Sequence, residues 1–550
     1  MIKPTLAQAV SSAIHTAMER GMLPRVDVPE VVVERTTKAG LGDYTTNAAM
    51  RLQKAVQMPP QRVAGAITHH LELPGSVAAV EVAGPGFINF TLSDEWLQEQ
   101  VNEIVGLADG FGGSAAGNGA SVQVEFVSAN PTGPLHVGAA RNAALGDSLA
   151  NVLSFIGYSV QREYYINDAG SQTAALARSV FARYQEQAGQ EPIDAGDGYV
   201  GEYVTELAQD VFATHGTALL GKPLEEALAV VGAQAESAVM QWIERDLADL
   251  GVRFDRWFSE RSLFQSGLYD QVMAKLREGG YVVERDGATW FTAAELGENR
   301  ENVLVRSNGQ PTYFASDIAY HYDKLVLRGF DRVIDVWAAD HHGHVPRMKS
   351  VARAFGIDPD RLHVLLYQLV KLFKDGQELK MSKRAGTYVT VRELVDDVGR
   401  DAARFFLVSR SADVTMNFDM DLARQQSDEN PVFYVQYAHA RICSILRRAE
   451  DLDWSGGDVS RLVTPAELTL IRKMLQLPEV VETAAEALAP HQLPFYAQEL
   501  ATVFHAFYRD CRVVTEDEAL TRARLKLVAA CRYALANALR LIGVSAPERM

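Results

Sequence analysis

The stretch that most restricts the fold is VQVEFVSANPTGPLHVGAARNAALGDSLANVL, from Val122 to Leu153. Val122, Val124 and Phe126 alternate with Gln123 and Glu125, the period-two pattern of a strand. A helix rich in Ala and Gly follows. Between them, Pro131 and Pro134 preset φ and lack N–H groups, so the exit from the strand is rigid. His136 stands at the helix mouth. Further apolar runs, SVQREYYIND, DRVIDVWAAD and RLHVLLYQLV, alternate with helical sequence. This alternation predicts βαβ units on a parallel sheet, where ligands sit off the carboxyl ends of strands.

The mouth of that helix suits an anion. Its first amides and its dipole favour negative charge, and His136 can donate to a phosphate oxygen. Gly138, Ala139 and Ala140 have no bulk, so a planar base or sugar could lie against the backbone. The bland alternative is a packed strand–helix turn with a satisfied histidine.

At 550 residues the chain is too long for one core. Residues 1–110 read as a small α/β unit: a leading helix, the strand run VPEVVVERTT, and two short strands in VAAVEVAGPGFINFTLS. ADGFGGSAAGNGAS, ending at 121, is rich in Gly, Ala and Ser, which marks 111–121 as a linker. Residues 122–370 form the predicted parallel-sheet domain, with 172–250 a helical insertion and 371–414 a connecting region. From about 415 to 550 only helices are expected, an all-α bundle.

Hydrophobic residues make up 47 % and charged residues 22 %, an ordinary soluble composition. No apolar run approaches the roughly 20 residues that span a bilayer. The N-terminus reads as an amphipathic helix without a cleavage site, so a cytoplasmic address is expected. Cys443, Cys511 and Cys531 form no Cys-x-x-Cys, which indicates neither disulfides nor a zinc knuckle. His341, His342 and His344 lack the i, i+4 pair of a helical zinc site, and no metal ligands are assigned. The formal charge of −17 argues against a general nucleic-acid coat but leaves room for a local basic face.

A second stretch, KLFKDGQELKMSKRAGTYVTV (371–391), gathers Lys371, Lys374, Lys380, Lys383 and Arg384, with Gly376 and Gly386 to let the loop move. A basic loop of this kind can offset charge as pyrophosphate leaves; taken alone, it reads rather as a solvated loop. Paired with His-Val-Gly-Ala near the start of the sheet, Lys380-Met381-Ser382-Lys383 resembles the second signature of class I aminoacyl-tRNA synthetases, and His136 and Gly138 resemble the first. The wider stretches EFVSANPTGPLHVGAARNAALGD, PTYFASDIAYHYDKL and YVQYAHARI, with LGDYTTNAAM and GPGFINF near the N-terminus, are similar to arginyl-tRNA synthetases over nearly the whole chain.

The resemblance implies a Rossmann-like catalytic domain, an added N-terminal tRNA-contacting domain and a helical anticodon-binding domain. It implies His136, Lys380 and Lys383 as catalytic residues, with ATP also against Pro134, Gly138, Ala139, Met381 and Ser382. Ala139 replaces the final histidine of the first signature and cannot donate to a phosphate. Arginine contacts are implied for Glu125, Asn130, Glu260, Tyr313, Asp317 and His341. A guanidinium is planar and permanently charged, best held by carboxylates, and Tyr313 and Asp317 share a helix face if a helix starts there. tRNA contacts are implied for Phe87 and Asn89, and, from basic and aromatic residues of the bundle, for Tyr437, Arg441, Phe507, Tyr508 and Arg512.

By the same resemblance the substrates are L-arginine, ATP carrying Mg²⁺ on its phosphates, and tRNA(Arg). The carboxylate of arginine attacks the α-phosphorus, and a terminal tRNA hydroxyl then takes the arginyl group. Zinc and membranes are not expected, and a monomer is the family default. Another class I synthetase, a nucleotidyltransferase, or a non-catalytic tRNA-binding paralogue motivated by Ala139 are the other readings.

Overall fold

The computed structural model describes residues 2–36, 38, 40–379 and 388–550. Its centre is a five-stranded sheet in which every neighbouring pair is parallel. In spatial order the strands are Leu362–Tyr367, Arg332–Ala338, Ser121–Glu125, Ser159–Ile166 and Arg256–Ser259. The earliest strand therefore lies in the middle, and the order reverses between it and Arg332–Ala338. That reversal opens a crevice at the carboxyl ends of these two strands.

The helix Val137–Phe155 fills one face of the sheet and is buried along nearly its whole length. Its small residues permit this: a Cβ on Gly146 would lie 2.3 Å from the Phe126 ring. Arg141, also fully buried, donates to the main-chain carbonyls of Gln368 (2.6 Å), Val414 (2.9 Å) and Ser411 (2.9 Å).

Several parts differ from the sequence expectation. RLHVLLYQLV is two strands: Leu362–Tyr367 ends the central sheet, and Val370–Lys374 starts another. The second of these pairs in parallel with Met416–Asp419, so the region expected to be helical from 415 begins with a strand. Four residues, Met416 to Asp419, are too short for periodicity to separate strand from helix. Within 122–370 an antiparallel three-stranded sheet, Val282–Arg285, Ala288–Ala293 and Glu298–Val305, interrupts the βαβ pattern. The insertion is three helices, Ser171–Gln187, Glu202–His215 and Leu224–Asp249, rather than one continuous run.

The Gly-rich segment before the sheet is packed, not loose. Phe111 is buried, a Cβ on Gly112 would meet Leu477 at 2.8 Å, and one on Gly117 would meet the Tyr158 amide at 2.5 Å. Its small residues serve close approach rather than flexibility. In the N-terminal region the strand run VPEVVVERTT contributes only Val33–Arg35, at the edge of a four-stranded antiparallel sheet. The C-terminal region packs Pro431–Arg448, Pro465–Met474, Leu477–Glu486, Gln492–Asp510 and Glu518–Leu541 around one another. The three cysteines are free and buried. Among the described residues no helix is long and apolar enough to cross a membrane.

Candidate active site

The crevice begins where the first strand ends. Val127 and Ser128 both have positive φ (69° and 39°), a region that a β-branched residue enters only under constraint. The constraint is local: the Val127 amide donates to Asn142 Oδ1 (2.8 Å), and Ser128 Oγ accepts from the Tyr165 amide (3.2 Å). Asn142 also donates to the Val336 carbonyl (2.9 Å), so the turn is fixed to the strand across the switch point. Asn130 then reaches the Asn167 carbonyl (3.0 Å), joining the turn to the loop after Ser159–Ile166.

His136 caps the helix Val137–Phe155. Its Nδ1 accepts from the Gly138 amide (3.0 Å), which in the neutral ring leaves the proton on Nε2. A Cβ on Gly138 would come within 2.8 Å of that ring, so only glycine leaves the imidazole in place. Ala139 is buried and presents a methyl group where the signature has histidine. Pro134 is partly exposed beside them. Lys380, Met381, Ser382 and Lys383 lie outside the described residues. The chain just beyond them lies against the cap: the Val137 amide donates to Val389 (3.1 Å), and the Val391 amide donates to Leu135 (2.8 Å). The first signature and the C-terminal flank of the second are thus neighbours, although more than 200 residues separate them in sequence.

At the other end of the crevice the helix Tyr313–Tyr322 starts at Tyr313, which puts Tyr313 and Asp317 one turn apart on one face. His344 Nε2 lies 2.9 Å from Asp317 Oδ2, and its ring is flanked by Phe314 and Trp337, each with centroids 5.4 Å away. Glu260 follows the last strand of the sheet and is buried. Its turn is clasped by Asp168, whose carboxylate accepts from the Ser259 hydroxyl (2.6 Å) and the Arg261 amide (2.9 Å). Burial pushes the Glu260 carboxyl above its ordinary range; the nearby Ser316 hydroxyl draws it down, and Asp317 pushes it further up. Oε2 of Glu260 is buried and has no hydrogen-bond partner among the described residues. Tyr313 stands half exposed at the rim, near Glu260.

Beneath these residues lies a charged interior. Lys324, fully buried on a π-helical turn, donates to Asp335 Oδ1 (2.9 Å) and to Glu125. Glu125 and Asp335 are register partners on the two strands flanking the switch point. Burial pushes Glu125 up more strongly than Lys324 draws it down. Glu125, implied as an arginine contact, accepts from Lys324 through Oε2.

Three implied contacts need correction. His341 is largely exposed, and it is His344 that reaches Asp317. Phe507 is fully buried in the bundle, so it cannot stack on a base. Asn89 is buried, and its Oδ1 accepts from the Thr45 hydroxyl (2.7 Å), so it holds the sheet together rather than facing outward. Phe87 and Tyr508 do present surface. Arg441 lies over the rings of Tyr437 (4.6 Å) and Tyr508 (5.4 Å), and Arg512 is exposed nearby in sequence. Sequence reasoning did not find His344, Lys324 or Asp335 as parts of the site. The run DHHGH is the available signal for the first, and the resemblance singles out its His341 rather than His344.

Residues 100–442 match the family described as tRNA synthetases class I (R), catalytic domain. Residues 4–92 match the arginyl tRNA synthetase N terminal domain, and 435–550 match the DALR anticodon binding domain. An arginine–tRNA ligase of Dehalococcoides mccartyi is 48 % identical over 100 % of this chain and 99 % of its own length. One of Moorella thermoacetica is 49 % identical over the same shares. The arginyl-tRNA synthetase structure of Thermus thermophilus superposes with a TM-score of 0.80 at 26 % identity, covering 100 % of both chains. That of Plasmodium falciparum shares the fold, with a TM-score of 0.78 at 18 % identity over 100 % of this chain and 99 % of the other. A class I catalytic domain across the crevice, the two flanking domains and near-half identity over the full length make this chain a member of the arginyl-tRNA synthetases, class I aminoacylation enzymes of protein synthesis.

Proposed function

We propose that the chain joins L-arginine to tRNA(Arg) through an arginyl-adenylate, with the guanidinium held between Glu260 and Asp317. The observation that carries this pocket is the unpartnered, buried Oε2 of Glu260 beside a second carboxylate. A buried acceptor without a donor is costly, and two neighbouring carboxylates favour a cation with several N–H groups. His344 fixes Asp317 through one oxygen and leaves the other for the substrate. Tyr313 packs along the substrate stem, and Asn130 holds the α-amino group near the Asn167 carbonyl.

The carboxylate of arginine then points across the crevice to the cap of the His136 helix. There it attacks the α-phosphorus of ATP, taken as its Mg²⁺ complex: a C–O–P bond forms and the bond to pyrophosphate breaks. His136 donates through Nε2, and the amides of the helix mouth share the developing charge. Lys380 and Lys383 offset the charge on departing pyrophosphate, with Met381 and Ser382 beside the nucleotide. The adenine and ribose lie over Pro134, Gly138 and Ala139. Ala139 provides no side-chain donor, so this end relies on His136, backbone amides and the lysines. In the second step the 2′-hydroxyl of the terminal adenosine attacks the activated carbonyl and AMP leaves.

tRNA lies along Phe87 at one end and along Tyr437, Arg441, Tyr508 and Arg512 at the other, in keeping with an exposed aromatic and basic face. The enzyme works as a monomer in the cytoplasm. ATP–pyrophosphate exchange with each amino acid in turn, with and without tRNA, tests the reading. Exchange driven by arginine is expected; exchange driven by another amino acid, or none under either condition, would overturn it.

A further inference from the structure

His321 lies one helical turn after Asp317 and is 3 % exposed. Its Nδ1 is 2.8 Å from the Asp317 main-chain carbonyl, and its Nε2 is 2.8 Å from Asp335 Oδ2. A carbonyl oxygen only accepts. Asp335 also only accepts: burial pushes its carboxyl up, but Lys324 and His321 outweigh this and hold it below the ordinary carboxylate range. A neutral imidazole has one donor and one acceptor nitrogen, so it would face one of these oxygens with a lone pair.

The groups facing the ring are Asp335 and Trp337 from Arg332–Ala338, Lys324 from the π-helical turn, Glu125 from the first strand, and Tyr320 from its own helix. A second proton on His321 gives each oxygen a donor.

We propose that His321 is held as an imidazolium and is a positioning residue for the arginine pocket, fixing the Asp317 turn to Asp335 at the switch point. The chain of contacts runs from Glu125 through Lys324, Asp335 and His321 to the backbone of Asp317. The first strand, which leads into the His136 turn, is thereby bound to the helix that carries the guanidinium contact. This role rests on the arginine reading of the pocket; the protonation state does not.

The test uses full-length enzyme with ¹⁵N-labelled histidine, and His321→Gln assigns the resonance. Two protonated ring nitrogens are expected at neutral pH. A bare ring nitrogen on His321 would overturn the proposal, whichever amino acid proves to be the substrate. In Asp335→Asn the second proton should be lost.

The positioning role is read separately. In His321→Gln the KM for arginine should rise about tenfold, the scale of one lost charge-assisted hydrogen bond, while the KM for ATP stays within about twofold. Equal rises in both constants, or no change in either, would overturn that role. Thermal melting of the variant establishes that a folded enzyme is being compared. If the variant does not fold, the signal that loses its second proton in Asp335→Asn assigns His321 instead.

Discussion

At the end of the crevice proposed for the guanidinium, carboxylates are fixed by partners on other elements. His344 holds Asp317, Asp168 clasps the turn of Glu260, and Lys324 joins Glu125 to Asp335. At the end proposed for the phosphates, His136 is set by the amide of its own helix, and the side chain of neighbouring Ala139 carries no polar atom. The contrast follows from the proposed ligands. A guanidinium brings a permanent cation that needs buried anions, and buried anions need rigid support. A triphosphate arrives with its own metal and is well served by backbone amides, so few side chains suffice.

The largest effect should fall at the supported end. Asp317→Ala should lower kcat/KM for arginine by about 1,000-fold, the scale of a charge left without its hydrogen-bonded partner. Turnover close to that of the unmodified enzyme would place the guanidinium elsewhere. His136→Ala should lower kcat by about 100-fold with little change in the KM for arginine. A comparable rise in that KM would erase the distinction between the two ends.

Glu260→Gln sharpens the comparison through opposite signs. The folded-state pKa of Glu260 is raised, so at neutral pH its ionised form costs the empty enzyme stability. That cost is fully present above the raised folded pKa, shrinks as pH falls through it, and is gone below the unfolded pKa. The amide should therefore raise the melting temperature at neutral pH while raising the KM for arginine about tenfold. In the unmodified enzyme the same KM should begin to rise on acidification before an ordinary carboxylate would protonate. A lower melting temperature for Glu260→Gln would mean that the carboxylate is paired in the free enzyme.

The smallest catalytic change is expected on the bundle. Tyr508→Ala should raise the KM for tRNA several-fold, the scale of one lost base stack, and leave melting nearly unchanged. Phe507→Ala should instead cost about 3–5 kcal/mol of stability. Equal tRNA defects at equal stability would return Phe507 to the surface.

The elements that carry the site were legible because their signals are short-range. His136 at a helix mouth follows from the strand, two prolines and the run of small residues. Tyr313 and Asp317 share a face because they are four apart on a helix. Partnerships were not legible where they join distant segments: Lys324 and Glu125 are 199 residues apart. Asp317 and His344 are 27 apart, and no periodicity connects a helix to the loop beyond the next strand. Phe507 and Tyr508 are adjacent aromatics, and only the packing of Gln492–Asp510 turns one inward and the other out. The Gly-rich run at 108–121 misled for a related reason. Small residues mark either freedom or crowding, and only the presence of Leu477 and Tyr158 decides which.

Arg141 grips Gln368, Ser411 and Val414 with a single guanidinium. The chain between the first two of these carbonyls is therefore a detour whose entry and exit are riveted to one spot on the scaffold. Loop closure grows only slowly with length, so extra residues spliced into the Asp375–Gly376 turn should leave the sheet undisturbed. Replacing Arg141 would instead leave carbonyls at both ends of the detour without their donor at once.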